Sequence, residues 1–267
     1  FESMKAGFSG VMESAKGLQA FFLSNPYTAI LLAVAAITAG IVAGANEIFQ
    51  YNEKVREHIA LTENLTGTTG QLADDIRVRA QALADTFGGD FEENLKAANT
   101  LAKQLGISYE EAFNKIERGY IRGANANGDF LDRLKEYGPL LNKYGFDIDE
   151  IIGLQIQAQE QGLFNDKFED SLKEAGIALD EFTKAQADAL TAAFGKDFSD
   201  KLSHDIHSGA LSVKDALLLM SSEAKKQGLS VQQFGQITAD VFKGAGEDVG
   251  GAQVIFENLY EGINKLD

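Results

Sequence analysis

The sequence predicts an all-α protein in which a long N-terminal apolar helix is followed by a multi-helix, bundle-like body. Three observations carry this. Runs of alternating apolar and polar residues bounded by turn residues, the mark of half-buried strands, are hard to find in the 267 residues. Residues 17 to 46 hold no charged side chain, in a chain that is 24% charged. From Thr69 onward, glycines, capping residues and apolar residues at helical spacing follow one another in a repeated syntax.

The first element is an amphipathic segment over residues 1–24. Phe1, Met4, Phe8, Val11, Ala15, Leu18 and Phe22 recur at alternating three- and four-residue steps. That is a heptad seam, the pattern that supercoils helices with copies of themselves and so predicts a homo-oligomer. The same periodicity also fits a helix packing on its own domain, and Gly7, Gly10 and Gly17 weaken the helix in isolation. The chain begins at Phe1 rather than Met, which predicts an upstream part.

The second element covers residues 25–66. Asn25 supplies an N-cap and Pro26 a first helical residue whose missing N–H would be unpaired anyway. As a helix at about 1.5 Å per residue, Tyr27 to Ala45 would span roughly 28 Å, close to the hydrocarbon thickness of a bilayer. Membrane insertion or close helix packing is therefore expected of Ile30, Leu31, Leu32, Val34, Ala36, Ile37, Gly40, Ile41, Val42 and Gly44. Ala36, Gly40 and Gly44 form a small-residue stripe at four-residue steps, which lets two helix backbones approach closely. The many alanines dilute the insertion signal, so a buried helix in a soluble assembly fits the composition equally well. A secretory signal fits less well, because the preceding stretch is not basic. Ile48, Tyr51, Val55 and Ile59 continue a helical stripe to Leu65, so residues 26–65 are predicted as one long helix.

The third element, residues 67–267, is an acidic helical core domain. Glu2, Glu13, Lys5 and Lys16 cancel, so the net charge of −16 lies entirely beyond residue 46. Such a body repels phosphate backbones and carries no basic stripe, so no sequence-specific nucleic-acid binding is expected. Gly106, Gly145 and Gly228 each end a helix and are followed by Ser108 with Glu111, Asp147 with Glu150, and Ser230 with Gln233. These are terminal glycines followed by capping boxes; Ser212 with Asp215 is a looser case. Helices are predicted at 70–87, 91–105, 108–124, 128–144 with a break at Gly138-Pro139, 147–161, 165–175, 180–194, 197–208, 212–227, 230–243 and 250–265. Helical spacing selects a core that includes Ile76, Leu83, Leu95, Leu105, Phe113, Ile152, Phe182, Leu217, Leu218, Phe234, Val241 and Leu259.

The chemistry-bearing residues do not assemble a reactive motif. His204 and His207 lie three apart with Asp205 between, but no third ligand has suitable spacing, so they read as solvated helix-end residues. His58, between charged neighbours, is assigned no role. GAGEDVGG at 244–251 departs from a dinucleotide fingerprint in its third glycine and reads as an interhelical turn. Asn125, Asn127 and Asp129 alternate as in a calcium loop, but Gly128 is misplaced for one, leaving a turn with an N-cap. The acid pairs read as helix starts that complement the helix dipole. With no cysteine, no nucleophile motif and no phosphate loop, neither an enzyme nor a cofactor or metal site is expected.

Two stretches resemble one family. LSNPYTAILLAVAAITAGIVAGA, an Asn-Pro opening an Ala/Gly-rich apolar run, resembles the hydrophobic segment of bacteriophage tail tape measure proteins. LAKQLGISYEEAFNKIERGYIRGANANGDFLDRLKEYGPLLNKYGFDIDE at 101–150 is similar to their helical core. Tyr27 stands where an aliphatic residue would follow the proline. The resemblance implies a structural virion protein that lies in the tail lumen in a few copies, fixes tail length during assembly and leaves the tail ahead of the genome. It also implies as partners copies of itself, the tail tube and tail tip proteins, a tail assembly chaperone, and the host membrane or periplasm at ejection. Tape measures of contractile injection systems share these features. A pore-forming helical toxin whose acidic bundle shields residues 27–45, and a soluble helical scaffold, are the alternatives from other classes.

Overall fold

The computed structural model describes residues 45–163 and 166–266. They divide into two compact units, one from the chain up to Asn99 with Ser108–Phe113, the other from Thr100–Ile107 with Asn114 onward. No strand occurs among the described residues.

In the first unit, α1 (Ala45–Thr66) packs against α2 (Gln71–Phe87). Gly67 and Gly70, at φ 73° and 64°, make the reversal between them in a left-handed conformation that side chains avoid. Ala73, Ile76, Ala80, Leu83 and Ala84 are the buried face of α2. The buried hydroxyls of Thr62 and Thr66 donate to the carbonyls of His58 and Thr62, at 2.7 and 2.6 Å, so neither is left unpaired inside the helix pair. Asp90 caps α3 (Phe91–Leu105), its Oδ1 accepting from the backbone N–H of Glu92 and Glu93 at 2.7 and 3.2 Å. The next helix, α4 (Tyr109–Ile121), begins with Tyr109, whose hydroxyl donates to Asn99 Oδ1 at 2.7 Å.

The second unit holds α5 (Phe130–Lys143), α6 (Ile148–Glu160), α7 (Lys167–Glu181), α8 (Lys184–Phe194), α9 (Lys196–His207) and α10 (Val213–Gln227). It closes with α11 (Val231–Ile237), a π-helical turn over Thr238–Phe242, α12 (Lys243–Asp248) and α13 (Ala252–Ile263). α6 is its central element, because Ile148 and every residue from Ile151 to Ala158 are buried, the mark of a helix covered on all sides. A Cβ on Gly153 would overlap the Gly262 carbonyl oxygen, so it is a bare backbone that lets α6 and α13 touch. Predicted boxes form where expected: Asp147 Oδ1 accepts from Glu150 N at 2.9 Å while Glu150 returns a bond to Asp147 N at 2.8 Å.

The fold class read from the sequence is corrected in its N-terminal part. The described chain is all-α, but no helix among the described residues is long and apolar enough to cross a membrane. Among the described residues the first helix is Ala45–Thr66, and Glu53, Lys54, Arg56, Glu57 and Glu63 make it a charged, amphipathic helix. Of the predicted helix from Pro26 to Leu65, the part from Ala45 is helical and the part before Ala45, with the apolar run, lies outside the described residues.

Three boundaries also differ, each for a local reason. α5 runs through Gly138-Pro139: burial of Leu134, Tyr137 and Leu141 along its length holds the helix together across the backbone bond that Pro139 cannot donate. α7 continues past Gly176, where a Cβ would overlap the Tyr144 ring, so that glycine serves close packing rather than termination. The helix ends instead at Phe182, a non-glycine residue at φ 42°, followed by a capping box between Thr183 and Gln186. The stretch 244–251 is partly helical: α12 takes Lys243–Asp248 and the turn is confined to Gly250 and Gly251, at φ 96° and 92°.

Candidate functional site

A surface groove of the second unit grows out of α10. Leu217, Leu218 and Leu219 are consecutive, and a helix cannot bury three successive positions on one face. Leu217 is fully buried, whereas Leu219 remains 44% exposed. Leu218 lies between them and lines a groove of about 810 Å³. The groove runs between α10 and α13 and is closed by the turn at Gly228 and Leu229 and by Phe234 of α11. Phe256 and Tyr260, one helical turn apart on α13, form the facing wall, with Tyr260 65% exposed. Ser221 on α10 donates its hydroxyl to the Phe256 carbonyl at 3.2 Å and so ties the two walls together. Lys225, Gln253, Glu257 and Glu261 supply the polar margin, and Gln253 donates to Glu257 Oε1 at 3.0 Å. A concave, mainly apolar surface with a few charged groups at its edge suits an amphipathic helix laid along it. Leu218 and Phe234, expected in the core, are half-buried because they face this groove.

The second concentration of chemistry is internal. Arg133 of α5, 3% exposed, donates from Nε to Oε1 of the fully buried Glu169 of α7 at 3.0 Å, and its Nη2 reaches the same oxygen. The other carboxylate oxygen, Oε2, is buried with no hydrogen-bond partner. Burial raises the Glu169 pKa to about 7 despite the guanidinium beside it, because one oxygen alone carries the pairing. Asp129 lies 3.6 Å from Arg133 Nη1 as a weaker second partner. Nearby, Tyr137 donates to Asp166 Oδ2 at 2.9 Å, and burial followed by that carboxylate pushes its pKa up.

A polar strip also runs between α6 and α13. Gln157 donates to Asn258 Oδ1 at 2.9 Å, and Lys265 donates to Gln157 Oε1 at 3.0 Å. Gln155, fully buried, finds no hydrogen-bond partner for either amide atom.

The other residues singled out by sequence take modest places. His207 lies 2.8 Å from the Ser203 carbonyl through Nδ1 and 3.0 Å from the Asp180 carbonyl through Nε2, so it bridges α9 to α7. His58 is half-buried and stacks on Phe91 with ring centres 3.7 Å apart and planes 5° from parallel, a structural contact that sequence spacing did not reveal. Its pKa is lowered by burial and then by the charges of Arg77 and Lys54. In the 125–129 turn it is Asn125, not Asp129, whose side chain accepts from Phe130 N at 3.3 Å. Among the described residues no group of three or more His, Cys, Asp or Glu could hold a metal ion. The seam Phe1 to Phe22 and the apolar residues Ile30 to Gly44 lie outside the described residues.

An acidic, all-helical packing domain with an apolar groove is the class that the fold and surface define. The family described as phage-related minor tail protein matches residues 65–243, most of the chain, and the chain belongs to that family. It is a phage tail protein with a structural role. The match runs from the end of α1 to the first residue of α12, so α13, one wall of the groove, lies beyond it. No curated protein and no solved structure matches the chain.

Proposed function

We propose that this phage tail protein is a tape measure: it lies in the tail lumen, sets tail length during assembly and helps deliver the genome through the host envelope. The observation that supports this is the charge asymmetry of a chain in this family, a neutral apolar head carrying no net charge ahead of a helical body carrying −16. A body of that sign does not grip DNA, because it has no cationic surface whose counterions binding could release, so the genome can pass beside it. The N-terminal 45 residues join copies to one another, with Ala36, Gly40 and Gly44 allowing close backbone approach. Tail tube, tail tip and tail assembly chaperone proteins are its partners, and the charge-free run meets the host membrane at ejection. The toxin and scaffold readings draw no support from the family match.

The test is a length measurement. Inserting four helical heptads after Leu23 in the phage should lengthen the tail by about 42 Å, at about 1.5 Å per residue over roughly 28 residues. Tails of unchanged length in electron micrographs of particles that contain the altered chain would reject the ruler role.

A further inference from the structure

We infer that the groove between α10 and α13 receives the segment 1–24 of a second copy of this chain. The groove is apolar along Leu218, Leu229, Phe234, Phe256 and Tyr260, and Tyr260 is left 65% exposed, so it presents surface that burial would stabilise. Its open side admits a helix with one apolar face, not one that is apolar all round. Residues 27–45 have no polar face, whereas residues 1–24 carry a single seam. Met4, Phe8 and Val11 fall at i, i+4 and i+7 and would set three anchors along about 10 Å of helix.

Charge selects the same occupant. Positions beside the seam are Lys5, Gly7, Met12, Ser14, Gln19 and Phe21, and the one charge among them is Lys5. Glu2 and Glu13 fall elsewhere in the heptad. The groove margin carries Glu257 and Glu261, four residues apart on one face of α13, against Lys225 opposite. A cation at the seam's edge therefore meets a margin with one excess negative charge. Docking body against body would instead oppose two surfaces of −16, while the neutral head of one copy on the body of the next avoids that repulsion. The contact is head-to-tail, so it adds copies in a row.

This deepens the self-association in the proposed function and is separable from the ruler. Unchanged tail length after the insertion leaves the docking standing, and failure of the docking leaves the ruler standing.

The chain contains no cysteine, so single cysteines report contacts without background. Full-length chains carrying Met12→Cys and Ser222→Cys are mixed and oxidised, and heterodimer formation is compared with a Met12→Cys and Lys184→Cys pair, Lys184 being an 86% exposed side chain outside the groove. The 12–222 link should form about tenfold faster than the 12–184 link, as expected when a contact raises local concentration. Lys5→Glu should slow it several-fold, and combining Glu257→Lys with Glu261→Lys should restore it. Equal rates for the two pairs would overturn the inference. So would links formed only between two Met12→Cys chains or only between two Ser222→Cys chains, or a doubly substituted chain that closes exclusively on itself in dilute solution.

Discussion

Replacing the buried pair Arg133–Glu169 by apolar residues should cost far less than removing either partner alone. Two charges taken out of water repay their desolvation only with good geometry and satisfied remaining atoms. Here both guanidinium contacts fall on Oε1, and Oε2 has no partner. Glu169→Leu leaves a guanidinium that cannot deprotonate, 3% exposed, with only Asp129 at 3.6 Å, and should cost about 3–5 kcal/mol at pH 7.5 and no less at pH 5, since only the parent gains as Glu169 takes up a proton. Arg133→Met leaves a carboxyl that escapes by taking up a proton. Its ordinary pKa is 4.5, so neutralising it at pH 7 costs at most about 3 kcal/mol at about 1.4 kcal/mol per unit, and under about 1 kcal/mol at pH 5. Arg133→Met with Glu169→Leu should fall within about 1 kcal/mol of the parent or above it. Urea unfolding followed by far-UV circular dichroism at pH 5 and pH 7.5 reads all four chains. With a slope of about 2 kcal/mol per M, a 4 kcal/mol loss moves the midpoint by about 2 M. In the parent chain Glu169 has a raised folded pKa, so its cost is fully present above about 7 and fades as pH falls toward 4.5. A double variant as unstable as the sum of the single ones, or an Arg133→Met cost equal at both pH values, would refute the reasoning.

Gly153→Ala would drive a Cβ into the Gly262 carbonyl and should cost about 1–3 kcal/mol in thermal or urea unfolding, whereas Gly235→Ala, with nothing within 4 Å, should gain about 0.5–1 kcal/mol. Thr238→Val removes a hydroxyl that donates to the Phe234 carbonyl and accepts from Ala252 N, both at 2.8 Å. The buried N–H left behind should cost about 1–3 kcal/mol and raise hydrogen exchange at Ala252. His58 has a lowered folded pKa, so its contribution is intact above its ordinary value of 6.5 and is lost as pH falls below it. Protection factors of α1 amides should drop between pH 7 and pH 5 in the parent chain and stay level in His58→Phe, which keeps a ring against Phe91.

Most of the helical body was legible because its punctuation is local. Ser108 accepts from Glu111 N at 3.1 Å and Ser230 from Gln233 N at 3.3 Å, as the spacing of those residues predicts, and Ile76, Leu95, Phe113 and Leu259 are buried as their periodicity requires. Glycine misled where its cause is tertiary. Gly176 reads as a helix end until the Tyr144 ring is seen against it, and Phe182, a phenylalanine in the left-handed region, gives no sign that a helix stops there. A membrane-crossing helix is not found among the described residues, because the stripe through Ile48 and Ile59 that suggested one long apolar element runs along a helix rich in charge from Glu53 to Glu63. The groove left one trace, the triple leucine at 217–219. Which of the three is buried depends on helices distant in sequence, so neither its place nor its wall on α13 was readable in advance.

The surface acidity needs a cause other than stability. Lys184–Asp188, Lys196–Asp200 and Lys201–Asp205 are helix pairs at four-residue spacing with the cation on the N-terminal side, the weaker order on a helix. Side-chain exposure of 74–86% on their lysines puts each pair in a solvent-screened setting, where such contacts contribute little to stability. An excess of sixteen negative charges meanwhile repels itself, and the compact state bears that cost. The interior offsets it through close approaches such as Gly153 on Gly262 and Gly176 on Tyr144, where dispersion is gained without adding charge. The proposed tape measure role accounts for a surface that weakens its own fold while shedding polyanions, since any cationic stripe would retard DNA in proportion to the phosphates it neutralised. The apolar groove in that surface, between α10 and α13, is then a place where attachment rather than repulsion is possible.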